Sequence, residues 1–171
     1  NNSAAIEETI EKLIKEIVYS NWISLNLSKL DGPETSQARQ ALEEARTPPF
    51  GNGGRIVLLK QNPFFNNCPS ELAETFELAI NLIPKDTHLV LTHSNKPDAR
   101  LKTTKIIKER IKSKEAHEQS FMLPPFWDEA GQQNLIEKTA EDLGLSLEKE
   151  AIAELLKAIG SDTTLLATEL K

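Results

Sequence analysis

Gly51, Gly53 and Gly54 fall within four residues of one another in the stretch TPPFGNGGRIVLLK (47–60), just ahead of an apolar run that ends in Lys60. That composition could cradle nucleotide phosphates, but such a loop works in one order only. Strand, glycine-rich turn and helix N-terminus must follow one another, so that loop amides and helix dipole converge on the phosphate. Here the glycines follow a helical segment and precede an apolar one. No G-x-x-x-x-G-K-[ST] occurs in the chain, and THLVLTHSN (87–95) ends in Thr, His, Ser and Asn where metal-binding acids would stand. The glycines therefore read as a tight helix-to-strand connection, with Pro48 and Pro49 ending the helix and stiffening the loop. Phe50 is left unexplained. An aromatic ring on such a loop either tucks back onto the core or projects to anchor a partner.

Other chemistry-bearing residues are few. The single cysteine, Cys68, excludes an internal disulfide and a cysteine zinc site. A nucleophilic role would need a histidine placed to activate it, and nothing in the pattern ties His88, His93 or His117 to Cys68. No cofactor is expected. The net charge is −6, yet residues 96–114 carry eight basic and two acidic side chains, a local +6 that leaves −12 for the rest. An acidic chain with one basic segment points to a local anionic contact rather than general coating of nucleic acid.

These residues need elements to hold them. Apolar spacing of three and four predicts a helix over 4–19, and WISLNL (22–27) alternates as a strand. A helix is expected from Glu34 to Arg46, a strand buried on both faces at RIVLLK (55–60), and a helix from Pro69-Ser70 to about Leu82. THLVLTH (87–93) reads as the next strand, 101–113 as a basic helix, and HEQSFM (117–122) as a fourth strand. Alternating helices and strands imply an α/β fold with a parallel sheet covered on both faces. After LPP (123–125) the pattern becomes three helices, with Gly144 and Gly160 at C-caps and Ser146 and Ser161 at N-caps. The expected domains are 1–122 and 123–171. No apolar run approaches the roughly 18 residues of a membrane span. The first residues lack a signal peptide's basic and apolar regions, which agrees with a cytoplasmic location. Both ends read as cut from a longer protein.

The order TPPFGNGGRIVLLK, PKDTHLVLTHSNKPDARLKTTKIIK, FMLPPFW and GLSLEKEAIAELLKAIGSDTTLLATELK resembles the delta subunit of bacterial DNA polymerase III, in wording closest to the cyanobacterial type. The resemblance runs over roughly residues 20 to 171. It implies an AAA+-like α/β domain followed by a small three-helix lid, with the family's first strand and its C-terminal collar domain outside this chain. It also implies a non-catalytic clamp-loader subunit that binds and opens the sliding clamp (the beta subunit) and leaves ATP hydrolysis to other clamp-loader subunits. Primed DNA would be met through the assembly. The family's clamp contact is a leucine-phenylalanine pair. Phe50 matches it, while Pro49 departs from the leucine but still offers apolar surface.

Lys102, Lys105, Lys108 and Lys112 share one face of the basic helix. They are either a solvated face or a contact for DNA phosphates or an acidic surface. The competing classes are a nucleotidase or kinase, which lacks its phosphate loop and metal acids, and a nucleic-acid-binding module using helix 101–113. The latter is disfavoured by overall acidity and by the lack of aromatics in the basic run.

Overall fold

In the computed structural model, which describes residues 3–32, 34–125, 127–142 and 144–159, RIVLLK forms the central strand of a parallel three-stranded sheet. The strands are β1 (Leu27–Asp31), β2 (Arg55–Lys60) and β3 (Thr87–Leu91), in the order β1-β2-β3. Leu27 pairs with Ile56 and Asp31 with Lys60 on one side; Arg55 pairs with Thr87 and Leu59 with Leu91 on the other. Ile56, Val57, Leu58 and Leu59 are all buried, which is why an unbroken apolar run suits this position.

The helices before residue 120 are α1 (Ser3–Ile17), α2 (Ile23–Asn26), α3 (Thr35–Ala45), α4 (Ser70–Ile80) and α5 (Lys102–Lys112), with 3-10 turns at Ser20–Trp22 and Pro63–Phe65. A strand order that advances in one direction, with crossovers of one hand, puts successive connecting helices on the same face of the sheet. Accordingly α3 and α4 pack on each other and share one core with Val57, Leu59, Leu89 and Leu91. Ala38, Ala41 and Ala45 let α3 lie close to the strands, while Leu72, Phe64 and Phe76 fill the space beyond. Asn62, almost fully buried, closes the carboxyl end of the sheet. Its side chain accepts from Phe64 N–H at 3.0 Å and donates to the Thr92 carbonyl at 2.7 Å.

Residues 10–119 form one compact unit, and residues 1–9 with 120–171 form another. The second contains α6 (Glu129–Asp142) and α7 (Lys149–Ile159), which bury Ile136 and Ile152 against Leu147, Leu155 and Leu156. Asp128 caps α6 by accepting from Gly131 N–H at 2.9 Å. Gly144, at φ +75°, ends it in a Schellman arrangement: its own N–H bonds Glu141 and that of Leu145 bonds Ala140. The third expected helix, with Gly160 and Ser161, lies outside the described residues. No helix among the described residues is long and apolar enough to cross a membrane.

Three expectations are corrected. WISLNL is not a strand: Ser20–Asn26 winds through a 3-10 turn and one turn of α-helix, and β1 starts only at Leu27. HEQSFM is not a strand either, and the sheet has three strands among the described residues. Its first four residues are polar and exposed, so it has no apolar face to bury. Ser146 is not an N-cap, because α7 begins three residues later at Lys149.

Candidate functional site

The loop after α3 is shaped at both ends. The Arg46 and Thr47 N–H groups turn back to the Glu43 and Glu44 carbonyls at 3.2 and 3.1 Å, and Pro48 has no N–H with which to continue the helix. The Thr87 hydroxyl donates to the Thr47 carbonyl at 2.9 Å, fixing the loop's start to the head of β3.

Phe50 is held by its backbone, and its side chain is only partly covered. Its N–H donates to Asn26 Oδ1 at 2.7 Å, and Asn26 Nδ2 donates to its carbonyl at 2.9 Å. Asn26 is fully buried, whereas Phe50 is 56% exposed. The ring meets Trp22 edge to face, with centroids 5.0 Å apart and planes at 68°. Pro49 is half-buried beside it. Phe50 thus projects from a fixed backbone and is steadied from one side.

The glycines permit the loop's close approach to the segment after α1. Gly51 has φ +68°, and a Cβ there would fall 2.6 Å from the Trp22 indole. At Gly54 a Cβ would fall 2.5 Å from Ile17 Cγ2, and its N–H donates to the Ile17 carbonyl at 2.9 Å. The loop joins the end of α3 to the start of β2, so the helix terminus beside it is a C-terminus, which repels rather than attracts phosphate. Arg55, at the root of β2, donates from Nη1 to the Leu25 carbonyl at 2.9 Å and so fastens α2 to the sheet.

The basic helix presents Lys102, Lys105, Lys108 and Lys112 to solvent. They are not equivalent. Lys102 Nζ lies 2.6 Å from Glu77 Oε2, and that contact raises its pKa. Lys105, Lys108 and Lys112 make no ion pair with another described residue. Ahead of α5, Asp98 accepts from Arg100 N–H at 2.9 Å and from its guanidinium at 2.7 Å, which lowers its pKa to about 2. The sequence K-P-D-x-R is thus a self-bonded turn that starts the helix. Cys68 donates to the Pro69 carbonyl at 3.7 Å, and burial raises its thiol's pKa, so it is not an activated nucleophile. His93 Nε2 faces Asn66 Nδ2 at 2.8 Å, and burial lowers the ring's pKa. No group of three His, Cys, Asp or Glu among the described residues could hold a metal ion.

Asn26 and Trp22 were not legible as parts of this site. Their only signal is the i, i+4 spacing, which a reading of WISLNL as a strand conceals.

The family model for the DNA polymerase III delta subunit matches residues 1–117, a span that contains the Phe50 loop and α5. No curated protein matches the chain. Among solved structures, the chain is similar to the DNA clamp loader delta protein of Bacillus subtilis, with a TM-score of 0.66 at 19% sequence identity. That likeness of fold covers 98% of this chain and 49% of the other, so this chain spans about half the length of its structural relative. The chain belongs to the DNA polymerase III delta subunit family.

Proposed function

We propose that this member of the delta family is a non-catalytic clamp-loader subunit that binds the sliding clamp and opens it during DNA replication, with Pro49 and Phe50 as the clamp contact. The observation that carries this reading is an aromatic residue 56% exposed on a backbone pinned by a buried amide. A pre-ordered anchor loses little conformational entropy on binding, and aromatic anchors of this kind dominate interfaces. Its position matches the second member of the family's hydrophobic pair.

The mechanism is mechanical. Phe50 and Pro49 occupy an apolar pocket on the clamp, and the neighbouring surface favours the ring's open form. A ligand shifts a conformational equilibrium only by its differential affinity for the two states, so the chain must bind the open ring more tightly than the closed one. ATP hydrolysis belongs to other clamp-loader subunits in the cytoplasmic assembly, which also brings primed DNA. Residues 1–122 serve as the AAA+-like domain and 123–171 as the lid.

The test is clamp release. Clamps threaded on nicked circular DNA come off faster when their ring opens. This chain should accelerate release, and Phe50→Ala should not. Equal acceleration by both would remove Phe50 from the mechanism; no acceleration by the wild type would remove ring opening from this chain.

A second reading, a nucleic-acid-binding module using α5, has one observation in its favour. Lys105, Lys108 and Lys112 are exposed and without ion pairs among the described residues. Binding of short duplex DNA at moderate salt separates it from the first.

A further inference from the structure

We infer that Asn26 is the positioning residue of the Phe50 anchor: its buried side-chain amide fixes the backbone that presents the ring to the clamp. The inference rests on the reading that Phe50 binds the clamp. Asn26 uses one acceptor and one donor on the two backbone groups of a single residue, at 2.7 and 2.9 Å. Two bonds to one peptide frame restrict its φ and ψ as a strand partner would. The contact spans 24 residues of chain, so it is tertiary and not a local turn.

The holder is itself held. Leu25, next to Asn26, has its carbonyl bound by Arg55 Nη1 at 2.9 Å, and Arg55 belongs to β2. One helical turn before Asn26, Trp22 sets its indole against the Phe50 ring. Gly51 is the gap that lets the loop reach that indole. Backbone and ring of Phe50 are therefore steadied from one short segment, 22–26, whose base is fastened to the sheet.

The arrangement fixes a ring that contributes little to the core, since more than half of its surface is exposed. Removing Asn26 leaves every atom of the Phe50 ring available to the partner. It releases the loop, so binding must then supply the ordering.

The experiment uses the 171-residue chain and the sliding clamp. Affinity is measured for wild type, Asn26→Leu, Asn26→Asp, Phe50→Ala and the Asn26→Leu/Phe50→Ala double variant. Amide exchange at Phe50 is followed by NMR. The wild-type Phe50 amide should be protected relative to that of Asn52 in the same loop. Asn26→Leu should lose that protection and bind about tenfold more weakly. Asn26→Asp keeps the acceptor but sets a second carboxylate oxygen against the Phe50 carbonyl in a buried place, so it too should bind more weakly than wild type. In the Phe50→Ala background, Asn26→Leu should add nothing. Wild-type binding by Asn26→Leu, with Phe50→Ala impaired, would overturn the inference and leave the anchor standing. An equal loss in both backgrounds would overturn it too, by showing that Asn26 acts elsewhere. Unchanged binding by Phe50→Ala would bring down the anchor and this inference with it. If Asn26→Leu does not fold, the wild-type amide decides: exchange at Phe50 as fast as at Asn52 refutes the inference.

Discussion

Adding one methyl group at Gly54 probes the close packing that places the Phe50 loop. A Cβ there would lie 2.5 Å from Ile17 Cγ2 and 3.0 Å from the Asp86 carbonyl oxygen. Neither neighbour yields easily. Ile17 is β-branched and ends a helix, so its χ1 is stiff, and its carbonyl already accepts the Gly54 N–H at 2.9 Å. The Asp86 carbonyl accepts the Arg55 N–H at 2.9 Å. Overpacking of this kind costs about 1–3 kcal/mol. The reduced freedom of the unfolded chain returns about 0.4–1 kcal/mol. Gly54→Ala should therefore destabilise residues 10–119 by about 1–2 kcal/mol. With a urea dependence of about 2 kcal/mol per molar, the unfolding midpoint should fall by about 0.5–1 M. Far-ultraviolet circular dichroism during urea titration reads it directly. Ile17→Ala removes Cγ2, so the penalty of Gly54→Ala should shrink in that background. A midpoint that stays or rises on Gly54→Ala would refute the close-packing account of the glycines.

Three further outcomes are expected. Asp98 should titrate near pH 2, as read from its carboxyl carbon by NMR, and Arg100→Ala should return it toward the ordinary carboxylate range. Because its folded pKa is depressed, its contribution to stability is complete above about pH 4 and is lost as pH falls through about 2; loss at higher pH would contradict the Arg100 contact. Gly51→Ala should push the Trp22 indole away from Phe50 and toward water, seen as a red shift in tryptophan emission; an unmoved spectrum would count against the contact. If α5 meets DNA phosphates, Lys105→Glu, Lys108→Glu and Lys112→Glu should each flatten the salt dependence of DNA binding by about 0.9 in logarithmic slope. Lys102→Glu should do less, because Glu77 already neutralises Lys102.

The parts of this fold that were legible are those whose burial matches a period. RIVLLK is apolar on both faces because both are covered, Ile56 and Leu58 being buried on one and Val57 and Leu59 on the other, and α5 shows its lysines at helical spacing. WISLNL (22–27) reads as a strand in the sequence because a 3-10 turn followed by four helical residues is too short to display a 3.6-residue period. Its alternation of apolar and polar residues arises from a turn that exposes Ile23 and Leu25 while burying Asn26. HEQSFM continues the helix-strand order of the chain, but its four leading polar residues are exposed and give it no face to bury in a sheet. The glycines are legible as a turn, but their second role depends on Ile17, Tyr19 and Trp22, residues some thirty positions away. Phe50 stood out in the sequence because nothing local required it. Whether it tucked or projected was set by Asn26, which no pattern linked to it.

The central claim is that Phe50 is a partner anchor, and the affinity of this chain for the sliding clamp, wild type against Phe50→Ala, tests it most directly. Phe50 leaves roughly 110 Å² of its surface to bury, worth about 2–3 kcal/mol. The account predicts affinity about thirty- to one-hundred-and-fifty-fold lower for Phe50→Ala, with folding unchanged because the ring lies outside the core. Equal affinity of the two proteins for the clamp would contradict it.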